Sequence, residues 1–219
     1  MKRVFLVTLA LMTLTGAAAA ADLPAAPVPY YKAPYAAPFY NWTGFYVGVN
    51  GGGGFGRSTW DSTGGFDLTG GLVGATVGYN YQMGRAVIGA EGDIDWSGMS
   101  GSTTAGCALG CRTSDSWLST VRARLGYAAD RFLPYVTGGA AFGDIRASTP
   151  GFAGSSTTSA GWTVGAGIEF AIAGNWTAKA EYLYVDLGNF NCGPGCGLTA
   201  VNHVSFNENI LRGGFNFRF

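Results

Sequence analysis

The chain has 219 residues, with 13 basic side chains against 13 acidic ones and a single histidine, so its formal net charge is zero. Neutrality without any Lys/Arg cluster argues against nucleic acid as a partner. Charged residues make up only 12% of the chain while glycine takes 37 positions; a soluble domain ordinarily carries about a quarter charged residues, so something other than surface charge keeps this protein in place.

Lys2 and Arg3 precede an uncharged apolar run over residues 4–14, followed by "TGAAAAADLPAAP". A basic start, a short apolar stretch and small residues at the cleavage positions make a secretory signal peptide, residues 1–21, cut near Ala20 or Ala21. The mature chain is therefore exported, and its cysteines meet an oxidising compartment. No later stretch reaches the roughly 18–20 apolar residues of a spanning helix. Residues 22–41, "DLPAAPVPYYKAPYAAPFYN", contain five of the eight prolines. Fixed φ and missing donors suit an extended polyproline segment rather than sheet or helix, so this is read as a periplasmic leader, with a docking strip for the cell wall as its sharper alternative.

From Trp42 to Phe219 the hydrophobic period is two. Phe45, Val47 and Val49 alternate with Tyr46, Gly48 and Asn50 in the first strand; Val73, Ala75, Val77, Tyr79 and Tyr81 form the apolar face of the second, over residues 72–82. The third, 86–96, sets Ile88, Ala90, Ile94 and Trp96 against a face holding Glu91, Asp93 and Asp95. The fourth, 117–127, opposes Val121, Ala123 and Leu125 to Arg122 and Arg124. In the fifth, 133–142, either Val136, Ala140 and Phe142 or Tyr135 and Thr137 form the outer set. The sixth, 162–172, places Glu169 opposite Val164, Ile168 and Phe170; the seventh, 176–185, places Lys179 and Glu181 opposite Trp176, Tyr182 and Tyr184. The last strand alternates Leu211, Phe215, Phe217 and Phe219 with Arg212 and Arg218.

The connections alternate strictly. "MGR", "AADR" and "AGN" are short, whereas 51–69, 97–116, 145–160 and 186–205 are long and rich in Gly, Ser and Thr. Short turns at one end and long loops at the other describe an up-and-down barrel in an outer membrane. The rival is a soluble up-and-down barrel, whose polar face would point outward and be thick with Lys and Glu. Here that face is mostly Gly, Thr and Asn, which suits a narrow interior, while the other carries aliphatics with Trp and Tyr near strand ends, as lipid contact requires. The expected fold is all-β: an eight-stranded antiparallel up-and-down transmembrane β-barrel over residues 42–219.

"WTGFYVGVNGGGGFG", "LPYVTGGAAFG", "WTAKAEYLYVDLG" and "NILRGGFNFRF" resemble the small porin-like outer-membrane barrels of alphaproteobacteria, the major surface antigens with an OmpA-like barrel. The resemblance covers almost all of 42–219, and the mature start "ADLP" fits it. It implies location in the outer membrane, contact with outer-membrane lipid and lipopolysaccharide, and recognition of Phe215, Phe217 and Phe219 by the barrel assembly machinery. Some members are described as haem binders or adhesins. With His203 as the only histidine, no haem or other cofactor is assigned here.

Eight strands leave an interior only wide enough for side chains. Glu91, Asp93, Asp95, Glu169 and Glu181 face inward with Arg122, Arg124, Lys179, Arg212 and Arg218, and buried charges persist only when paired. The expectation is an ion-pair network that closes the barrel, giving a structural protein that supports the envelope and presents surface loops. Three alternatives stand beside it: a narrow porin, a surface adhesin or ligand-binding barrel in contact with a host surface, and a lipid A-modifying enzyme. For the last, His203 and Ser205 share a face, but Glu208 has the opposite parity, so no catalytic residue is assigned.

Cys107 and Cys111 ("CALGC") fall in the second long connection, and Cys192 and Cys196 ("CGPGC") in the fourth. Four cysteines allow three pairings. Pairing within each loop is the short path, and Pro194–Gly195 suits a type II turn. The alternatives are a redox centre, disfavoured because the spacing is not Cys-x-x-Cys, and a four-cysteine zinc site, which needs both loops to meet. No metal site is assigned.

Overall fold

The computed structural model describes residues 40–60, 64–104, 110–148, 155–190 and 204–219. The expected signal peptide and nearly all of the leader lie outside these residues. Among the described residues nine β-elements make one sheet: β1 (Gly44–Trp60), β2 (Gly64–Met83), β3 (Ala86–Ser97), β4 (Ser100–Thr103), β5 (Cys111–Tyr127), β6 (Phe132–Ser148), β7 (Ser155–Ala173), β8 (Trp176–Phe190) and β9 (Val204–Arg218). Every pairing is antiparallel, neighbours follow chain order, and β9 closes the sheet by pairing with β1. β4 continues β3: both lie between β2 and β5, and the break falls where Met99 turns into the interior. The wall is thus a closed eight-strand barrel, which leaves no free sheet edge.

The short connections are set by local chemistry. Met83 pairs with Ala86 across Gly84–Arg85, and Ala173 with Trp176 across Gly174–Asn175. Gly84 and Gly174 have φ of 62° and 54°, a first turn position that glycine alone adopts freely in a two-residue hairpin.

The long connections differ from expectation. Residues 51–60 and 64–69 are strand, paired in register from Gly51↔Val73 to Trp60↔Gly64; 145–148, 155–160 and 186–190 are strand as well. Gly, Ser and Thr carry no apolar alternation, so periodicity reads them as loop, yet their backbone groups continue the ladder once the strands below fix the register.

Side chains follow the two-residue period. On β6, Phe132, Val136 and Phe142 face out while Leu133, Tyr135, Thr137 and Ala141 face in, which resolves that strand's two readings. Outward aromatics gather at two heights: Phe45, Tyr81, Tyr127, Phe132, Phe170 and Trp176 near the short turns, and Phe55, Trp96, Phe142 and Trp162 further up, with Val47, Val77, Val121, Val136 and Val164 between them. Phe132 and Phe142 stand ten residues apart on β6, matching the roughly 9–11 residues with which a tilted strand crosses a bilayer. Above the upper girdle the sheet continues, on β1 from Phe55 to Trp60.

Candidate functional site

The inward side chains of the barrel's middle form a buried polar cluster, assembled by the register. Glu91, Asp93 and Asp95 alternate inward along β3, Arg122 and Arg124 along β5, Lys179 and Glu181 along β8. Glu91 stands opposite Arg122, Glu169 opposite Lys179, and Glu181 opposite Arg212. Arg122 donates through Nη2 to Glu91 Oε1 at 2.5 Å and Asp93 Oδ2 at 2.7 Å, and through Nη1 to Glu181 Oε1 at 2.9 Å. Arg212 donates to Asp93 Oδ2 at 3.0 Å and Asp95 Oδ2 at 2.7 Å, and through Nε to Glu181 Oε2 at 2.9 Å. Lys179 Nζ donates to Glu91 Oε2 at 3.1 Å, and Arg124 pairs with Glu169. All nine side chains are buried.

Neutral groups complete the cluster. Tyr46 donates its hydroxyl to Glu91 Oε2 at 2.8 Å, Thr120 to Asp93 Oδ2 at 2.9 Å, and the Asn216 amide to Glu169 Oε1 at 2.9 Å. The Arg124 guanidinium lies 3.6 Å from the centre of the Tyr135 ring, and the Tyr135 hydroxyl donates to Glu181 Oε1 at 3.1 Å. Room for these rings comes from glycine. A methyl group built on Gly167, opposite Tyr135, would lie 2.6 Å from its Cζ, and Gly78 stands opposite Tyr46 in the same relation.

Arg218 is corrected. It has the inward parity of β9, but there the strand has reached the rim, too low for the cluster. Its guanidinium stacks over Tyr40, 4.4 Å from the ring centre, and donates to the Asn41 carbonyl. Burial pushes the Tyr40 phenol up, opposed by the Arg218 charge. Five acids therefore meet four bases in the cluster.

Two apolar layers enclose it. Toward the short turns, Trp42, Val87, Ala128, Leu133 and Ala171 pack together. Trp42 is held by its backbone N–H on Gln82 Oε1 at 2.7 Å and by its indole N–H on the Asp130 carbonyl at 3.0 Å. Toward the outer end, Leu68, Leu72, Met99, Leu118, Ile145, Leu183, Phe206 and Ile210 fill the bore. Sequence reasoning missed both layers because it assigned the polar parity to the interior along each whole strand. The signal was present: Leu72, Leu118, Leu183 and Ile210 all sit on that parity.

Glu208 lies inside the outer layer, between inward Phe206 and Ile210, wholly buried and, among the described residues, with neither carboxylate oxygen hydrogen-bonded. A buried acid without partners costs stability. Glu208→Leu should therefore raise the unfolding free energy by about 1–3 kcal/mol, read by urea unfolding in lipid vesicles; a loss of stability would show that the carboxylate has a structural role.

His203 lies outside the described residues. Ser205 donates to Asn189 Oδ1, while Glu208 points into the barrel, so those two are on opposite sides of the wall. Cys111 is buried at the start of β5; Cys107, Cys192 and Cys196 lie outside the described residues. Phe215 and Phe219 are exposed on the outer wall, and Phe217 packs edge-on against Trp176 at 5.2 Å. Among the described residues no group of three or more His, Cys, Asp or Glu is arranged to hold a metal.

The family model described as "Outer membrane protein beta-barrel domain" matches residues 7–219. The chain is 39% identical over 247 residues to the 31 kDa outer-membrane immunogenic protein of Brucella melitensis biotype 1, covering 100% of both chains. It is 30% identical over 223 residues to the 25 kDa outer-membrane immunogenic protein of Brucella abortus biovar 1, covering 100% of this chain and 99% of that one. Among solved structures it is similar to Neisserial surface protein A, with 19% identity, 81% of this chain and 98% of that chain covered, and a TM-score of 0.49.

Proposed function

Because the chain belongs to the outer membrane protein beta-barrel family and resides in the outer membrane, we propose that it is a structural barrel that supports the envelope and presents its outer end at the cell surface, with no open pore. The observation that carries this reading is the stacked interior: a buried charge cluster between two apolar layers. A water-filled channel needs a continuous polar lining, whereas here the outer layer and Trp42 interrupt it. Purified protein reconstituted into planar bilayers should give no steady conductance. Large steady conductance would overturn the closed reading. The envelope role is tested by deletion, which should sensitise cells to detergent.

In this reading outer-membrane lipid and lipopolysaccharide surround the wall. The aromatic end of β9 is what the assembly machinery engages. The exposure of Phe215 and Phe219 and the barrel-closing hydrogen bond from the Phe219 N–H to the Phe45 carbonyl at 2.9 Å support that role.

A further inference from the structure

On the outer wall, β7, β8 and β9 border an open groove of about 460 Å³, within the roughly 300–1,000 Å³ common for small-molecule sites. Its origin is a bulge in β8. Asp186 pairs with Asn207 and Asn189 with Ser205, so Leu187 and Gly188 together oppose Phe206 alone. Gly188 takes φ 68°, the left-handed glycine of a bulge that bends its strand and re-aims neighbouring side chains. Leu187 and Phe206 turn into the core. Asp186, Asn189, Ser205 and Asn207 remain around the groove.

The groove carries one large aromatic surface. Trp162 is 50% exposed, its ring 5.4 Å from that of Tyr184. Beside it stand donors and acceptors with unused capacity. Asp186 Oδ1 accepts the Gly188 N–H at 2.8 Å, leaving Oδ2 to accept another donor. Asn189 uses its carbonyl oxygen on Ser205, leaving its amide N–H groups. The Asn207 side chain makes no hydrogen bond among the described residues. The lining holds one carboxylate and neither Lys nor Arg, which disfavours phosphate and sulfate.

We propose that this groove binds an uncharged, hydroxyl-rich sugar. A pyranose offers a C–H face to an exposed indole, and its hydroxyls both donate to a carboxylate and accept from an amide. The height agrees: Asp186 pairs with Trp162 of the outer girdle and with Asn207, at the lipid–water boundary. The same chemistry has two sources, the saccharide of a glycolipid in the surrounding leaflet or a free oligosaccharide. The site rests on the outer-membrane reading for its height alone, and a titration in micelles reads the groove whether or not the barrel is closed to ions.

The test uses the mature full chain with 5-fluorotryptophan, the Trp162 resonance assigned through Trp162→Phe. In lauryldimethylamine oxide micelles, which contain no sugar, the probe is a neutral oligosaccharide, maltoheptaose. In phosphatidylcholine nanodiscs it is a neutral glycolipid, digalactosyl diacylglycerol, against discs without it. The expected result is a saturable shift of the Trp162 resonance, with apparent affinity about tenfold weaker in Asn207→Leu. Ser205→Ala is the second variant, and each must keep the heat-dependent gel shift of a folded barrel. A shift as strong with the free oligosaccharide as in glycolipid discs assigns a soluble glycan as source, and a shift confined to the glycolipid discs or at least tenfold tighter there assigns the headgroup. Absence of any Trp162 shift in both settings, or a shift equally strong in folded Asn207→Leu and Ser205→Ala, overturns the proposal.

Discussion

Arg122→Ala should lower the unfolding free energy of the barrel by about 3–5 kcal/mol, measured by urea titration in lipid vesicles and by the temperature at which the folded gel band is lost. Among the described residues, Arg122 is the one base that reaches Glu91, Asp93 and Glu181 together. Removing it leaves three wholly buried carboxylates with fewer donors, inside a wall that admits no water from the lipid side. The penalty is that of uncompensated buried charge, not of the lost attraction alone. Arg218→Ala is the matched control: that side chain lies at the rim over Tyr40, and its loss should cost no more than about 1 kcal/mol. Equal effects of the two variants would mean that the cluster is not what holds the interior together.

The second large effect concerns the outer wall. Val136→Arg puts a cation midway between Phe132 and Phe142 on the lipid-facing parity of β6. Near a bilayer midplane this should cost about 2–4 kcal/mol. Thr59→Arg has the same outward parity on β1 but lies beyond Phe55, above the girdle, and should cost no more than about 1 kcal/mol. Measured in the same vesicles, the difference between the two locates the hydrocarbon layer on the barrel. Equal costs would place the girdles wrongly.

What was legible in the sequence followed from whether a residue's neighbours repeat at a fixed period. Eight strands and the short turns could be read because Val, Ile, Phe and Tyr alternate through the membrane-crossing segments. The charge cluster was legible for nine residues because parity alone selects the inward face. Arg218 shows the limit of that rule, since parity says which side a residue faces but not how high it stands. The apolar layers were lost for the complementary reason: Leu118 and Leu183 lie on a face that is polar lower down, so an average over the strand hides them. The extension of β1 and β2 past Phe55 was hidden by Gly51–Gly54, whose hydrogen bonds carry the ladder without any side-chain pattern. The bulge at Gly188 had only a single glycine to announce it.

The wide sequence separation within the charge cluster has a consequence for the order of folding. Arg212, on the last strand, pairs with Asp93 and Asp95, 119 and 117 residues earlier, and Arg122 reaches 59 residues forward to Glu181. Until β9 meets β1, the acids of β3 lack one of their principal partners, and a partly zipped sheet carries carboxylates that water must still solvate. Contacts this distant in sequence form late. Neutralising the interior and sealing the cylinder are therefore one cooperative event: hairpins can form separately, but the half-built wall has no low-energy resting state until its final strand is in place.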